Sequence, residues 1–92
     1  MADVIITLKI MPTSPNVDLK KIEELALKKI IAFAELDNYK VEEEPLAFGL
    51  KALKILFVMN EAKGGVDDLE KDLNTIDGVN SVETTDVRRA LG

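Results

Sequence analysis

Along the first ten positions, Val4, Ile6, Leu8 and Ile10 alternate with Ile5, Thr7 and Lys9. That is the two-residue period of a strand, and the even positions are the more consistently apolar. Pro12 stops it, and the Thr13-Ser14-Pro15-Asn16 cluster reads as a loop that supplies a capping side chain. Leu19, Ile22, Ala26, Ile30 and Phe33 then recur at three- and four-residue steps, which predicts an amphipathic helix to about Ala34. Lys20, Lys21, Glu23, Glu24, Lys28 and Lys29 fall largely off that stripe and form a solvated face. Asp37-Asn38 is the expected break.

Tyr39, Val41 and Glu43 alternate with Lys40, Glu42 and Glu44, predicting a mostly polar strand at a sheet edge that ends at Pro45. The run from Ala52 to Met59 is nearly all apolar and suits a central strand. After a turn over Asn60 to Gly65, the residues Val66, Leu69, Leu73 and Ile76 space a second helix. Asp67 and Asp68 lie in its first turn and Gly78 is its expected C-terminal cap. The β-branched segment Val79 to Arg88 closes the pattern as the last strand.

The order strand, helix, strand, strand, helix, strand, joined by right-handed crossovers, predicts an α+β fold. It is the ferredoxin-like α/β sandwich (βαββαβ), a four-stranded antiparallel sheet with two helices on one face. Its expected core is Val4, Ile6, Leu8, Leu19, Ile22, Ala26, Ile30, Val41, Leu53, Ile55, Phe57, Leu69, Leu73 and Ile76. In this topology the hairpin holding Phe48 and Gly49 lies at one end of the sheet. Tyr39, the Asn60 to Gly65 turn and the C-terminal tail share the other.

Composition narrows the chemistry. The 92 residues read as one domain without linker or repeat, with no Cys and no His. Thiolate nucleophiles, imidazole bases and the usual zinc ligands are therefore missing. The net charge of -5 opposes direct nucleic-acid binding, since phosphate contacts need a cationic face, and favours a protein partner. The N-terminal strand is too short and too charged for a signal peptide or membrane span, which places the chain in the cytoplasm. No cofactor is expected.

Few residues invite a functional reading. Gly64-Gly65 lacks the spacing of a phosphate-binding loop, and the following aspartates would repel an anion, so it reads as a plain turn. Glu42, Glu43 and Glu44 point to alternating faces and cannot converge on a cation. Arg88-Arg89 ends the last strand of an acidic protein with a local positive charge, a docking hint balanced against an inconsequential surface pair. Gly49 fits a backbone need for positive φ. Phe48, beside it, suits either packing under the hairpin or contact with a partner.

The run Pro45-Leu46-Ala47-Phe48-Gly49-Leu50-Lys51-Ala52-Leu53-Lys54-Ile55, the opening Val4 to Pro12, the Gly64-Gly65 turn and the ending Thr85 to Leu91 resemble the archaeal translation elongation factor 1-beta family across essentially the whole chain. They also resemble the C-terminal domain of the eukaryotic factor, whose aromatic-Gly-Ile-Lys-Lys-Leu run meets this sequence from Phe48 to Leu53. The resemblance implies a single guanine nucleotide exchange domain over 1–92. Its implied partner is GDP-bound elongation factor 1-alpha, and its action is nucleotide exchange without covalent chemistry. Eukaryotic members carry a near-terminal lysine that reaches the Mg²⁺ site of the GTPase. The matching place here is Gly92 or just beyond, which leaves Arg88 and Arg89 as the nearest cations. Tyr39, Phe48, Arg88 and Arg89 are thus the expected partner-binding residues. The competing reading is a ferredoxin-like small-molecule-binding regulatory domain acting as a dimer.

Overall fold

The computed structural model describes residues 3–89. Its strands are β1 (Asp3–Pro12), β2 (Tyr39–Pro45), β3 (Lys51–Asn60) and β4 (Val79–Arg89), and its helices are α1 (Leu19–Ala34) and α2 (Asp67–Leu73). The strands form one sheet in the order β2-β3-β1-β4, every neighbouring pair antiparallel. This is the predicted ferredoxin-like arrangement, with the glutamate-rich β2 at an edge. Each of its glutamates finds a lysine: Glu42 with Lys40, Glu43 with Lys51 and Glu44 with Lys54. Such exposed pairs add little stability, but the charges they place on an unpaired edge discourage another strand from adding there.

Register explains the core. Ile6 stands opposite Phe57 and Leu8 opposite Ile55, while Ile10 faces Leu53, so the even positions of β1 and the odd positions of β3 share one face. That face is buried under Ile22, Ala26, Ile30 and Ala34 of α1 and Leu69 and Leu73 of α2. A salt bridge of 2.9 Å from Lys29 to Asp72 joins the two helices above it.

Several local expectations are corrected. The cap of α1 is Asp18, outside the Thr13–Asn16 cluster. Its Oδ1 accepts from the backbone N–H of Lys20 and Lys21 at 3.1 and 3.4 Å, because a carboxylate directly before the first turn reaches both free donors. The helix ends at Ala34 as expected, but the break comes two residues before Asp37, at the C-cap Glu35, which is left-handed at φ 59° and whose N–H bonds to the Ile31 carbonyl at 2.8 Å. α2 ends at Leu73, so Ile76 is buried from the turn beyond it, and Gly78 (φ 93°) stands in the turn just before β4 rather than capping the helix. The Gly78 carbonyl accepts from Thr13 N–H at 2.9 Å, and a Cβ there would stand 2.8 Å from Val17 Cγ1. The loop before α1 is thus packed directly on this glycine.

Val4, Leu19 and Val41 are only partly buried at the rim of the core. Ile10, Ala34, Met59 and Val79 belong inside it. Ala52 and Thr7 are also buried, although register puts them on the helix-free face.

Candidate functional site

The molecule is elongated, 42 × 22 × 19 Å, and its candidate residues sit at its two ends.

At one end β2 and β3 join through Leu46 to Leu50. Leu46 N–H bonds to the Leu50 carbonyl at 2.7 Å, and Leu50 N–H to the Ala47 carbonyl at 3.3 Å. Between them Phe48 (φ 62°, ψ 30°) and Gly49 (φ 77°) are both left-handed. Positive φ at both central positions is the pattern of a type I′ turn, whose twist matches the flanking strands and which favours Asn-Gly. Gly49 behaves as expected. Phe48 carries a cost on the order of 1–2 kcal/mol for its left-handed backbone. Its ring gains nothing from packing in return, since it is 94% exposed. The structure therefore decides against the packing alternative.

At the other end Tyr39 begins β2 and is 44% exposed. It belongs to a row that crosses all four strands: Tyr39 opposite Phe57, Phe57 opposite Ile6, and Ile6 opposite Val87. The middle of the row is core, while Tyr39 and Val87 stand at the two edges. Leu36 is exposed nearby. Together with Ala34, Ala62 and the Glu35–Lys63 ion pair it lines an open depression of ≈ 490 Å³.

Arg88 and Arg89 lie at this end but not together. Arg88 stands opposite Ile5 on the helix-free face and pairs with Asp86 through Nε at 2.8 Å. Arg89 stands opposite Val4 on the helix face, and its Nη2 donates to Glu61 Oε2 at 3.1 Å. Glu61 and Lys63 share one 3₁₀ turn after β3, so that turn is held from β4 by one residue and from the end of α1 by the other. The Lys63 ammonium hydrogen-bonds Glu35 and holds its carboxyl below the ordinary value of 4.5. Periodicity offers no signal for either contact, because both join residues 28 positions apart. Gly92, where the eukaryotic lysine would fall, lies outside the described residues.

Residues 5–90 match the family described as the EF-1 guanine nucleotide exchange domain. The chain belongs to that family. It is 44% identical to elongation factor 1-beta of Methanothermobacter thermautotrophicus, covering 99% of this chain and all of the relative. It is 41% identical to elongation factor 1-beta of Methanocaldococcus jannaschii over 98% of this chain and all of that one. With elongation factor 1-beta of Staphylothermus marinus the figures are 38% over 97% and 98%. The matched residues span both ends of the sheet, taking in the turn with Phe48 and the strand end with Arg89. Among the described residues, no helix is long and apolar enough to cross a membrane.

Proposed function

We propose that this chain accelerates the release of GDP from elongation factor 1-alpha during translation elongation, so that GTP can reload, by touching the GTPase with both ends of its sheet. The observation that carries the two-ended reading is Phe48: a large apolar ring held fully exposed on a backbone conformation that disfavours it. Strain of this kind persists where the surrounding structure enforces it, and it clusters at contact sites. An aromatic with few rotatable bonds at the tip of a rigid hairpin loses little entropy on docking and fills a partner's pocket well.

Arg88, Arg89 and Tyr39 form the second contact. In a P-loop GTPase, Mg²⁺ bridges the P-loop hydroxyl and the nucleotide phosphates, so a cation pushed towards the Mg²⁺, or a displaced switch loop, weakens GDP binding. Linkage makes this mutual: GDP weakens the exchange factor by the same factor. A thousandfold acceleration takes about 4 kcal/mol off the barrier, more than one exposed arginine supplies, and two contacts some distance apart meet that demand together. No bond is made or broken in the chemistry.

The test is stopped-flow release of fluorescent GDP from elongation factor 1-alpha. Catalytic amounts of this protein are expected to speed release. An unchanged rate at saturating protein, with the GTPase shown to be active, would falsify the reading.

A further inference from the structure

β4 does not run evenly. Its pairing with β1 shifts between Thr7 and Leu8, where Thr7 faces Asp86 and Leu8 faces Thr84, leaving Thr85 as an extra residue. One extra residue reverses which side chains face which way. Before it, Val82 and Thr84 share the helix face with Ile10 and Leu8. After it, Val87 and Arg89 do, with Ile6 and Val4. An unbroken strand would turn Arg88 to the helix face and Arg89 away from it. The bulge therefore decides which arginine meets Glu61.

Next to the bulge stands a carboxylate on α2. Glu70 Oε2 accepts from the Thr84 backbone N–H at 3.0 Å and from Thr84 Oγ1 at 2.7 Å, both partly buried. An edge-strand N–H bonded to a helix side chain points away from β1 and is taken at this register only. Charge-assisted bonds of this kind are about twice as strong as neutral ones. Thr85 Oγ1 adds a contact of 3.4 Å to the Thr7 carbonyl on the other side of the bulge.

We propose that Glu70 is a positioning residue for nucleotide exchange: by gripping Thr84 it fixes the bulge at Thr85 and so presents Arg89, rather than Arg88, from the helix face beside the Glu61 turn. This rests on the exchange reading above. Glu70 itself stands a bulge away from the strand end and touches no partner in this scheme.

The test compares Glu70→Ala, Glu70→Gln and wild type by two measurements. Without partner, amide hydrogen exchange and cross-strand NOEs of residues 84–89 report the register. With elongation factor 1-alpha, fluorescent GDP release is followed to saturation. Glu70→Ala is expected to lose protection across 84–89 and the Arg89-to-Val4 NOEs, and to slow release at saturation on the order of 10-fold to 100-fold with little change in half-saturating concentration. Glu70→Gln, which keeps a carbonyl acceptor, is expected to recover most of both, and Arg89→Ala added to Glu70→Ala to cost little more. Wild-type NOEs and wild-type release in Glu70→Ala would overturn the proposal while leaving the exchange reading intact. Equal loss in the Ala and Gln variants, in step with melting temperature alone, would also overturn it. A wild type that releases no GDP would instead sink the exchange reading and the functional half of this proposal, the NOEs still deciding whether Glu70 sets the register.

Discussion

Phe48 and Arg89 lie at opposite ends of the sheet, the first in the turn between β2 and β3 and the second where β4 runs out beside the start of β1. A partner that feels both must reach along the long dimension of the molecule, 42 Å. Contacts this far apart share no neighbours, so their effects on binding should add, whereas changes within one end should not.

Phe48→Asn separates fold from docking. Asn-Gly is the preferred type I′ pair, and the exposed ring contributes nothing to the core, so the substitution is expected to stabilise the isolated protein by about 1 kcal/mol. That corresponds to a rise of several degrees in melting temperature. Exchange should fall through weaker association with the GTPase. A protein that melts lower after the substitution has a Phe48 that packs.

Gly49 and Gly78, both of positive φ and both near the loop before α1, should differ in cost. At Gly49 a Cβ would meet only Pro15 Cβ at 3.9 Å, an ordinary contact, so Gly49→Val is limited to its backbone penalty of about 1–3 kcal/mol. Gly78→Val adds a clash with Val17 to the same penalty and should destabilise more. Denaturant midpoints of the two variants check the order, which the reverse ranking would contradict.

Arg88→Ala and Arg89→Ala should not be equivalent, because the side chains leave opposite faces of β4. Arg89→Ala also frees Glu61, and it is expected to slow GDP release even from the saturated complex. Arg88→Ala breaks, among the described residues, a local pair with Asp86 and should mainly alter the salt dependence of association. Matching release rates at saturation for the two variants would show that the face does not matter.

The Glu35–Lys63 pair gives a pH dependence of known sign. Glu35 ends α1, where a carboxylate meets the negative end of the helix dipole, and Lys63 offsets this. Because the folded carboxyl titrates below 4.5, the contribution is fully present above that pH and is lost as pH falls through the lowered folded value. Lys63→Met should therefore lower the melting temperature slightly at neutral pH and not at all in strong acid. A difference that grows on acidification would reverse the assignment.

Much of the fold is legible in the chain itself. The alternation of Val4 to Ile10, the stripe from Leu19 to Phe33 and the apolar run from Ala52 to Met59 are properties of neighbours in sequence, and each became the element its period dictates. The same holds for the polar edge strand and for the left-handed backbone at Gly49, a position that excludes most side chains on local grounds. What tertiary structure alone decided are matters of pairing. Whether Phe48 is covered depends on what lies across the hairpin, and nothing does. Thr7 and Ala52 are buried on a face without helices because neighbouring strands surround them. The register of β4 is set against β1 and against Glu70, and no local period marks Thr85 as an extra residue. The sequence thus places two adjacent arginines at the end of a strand, where alternation alone sends them to opposite faces, and only the bulge, a relation between segments far apart in the chain, decides which of them takes the helix face.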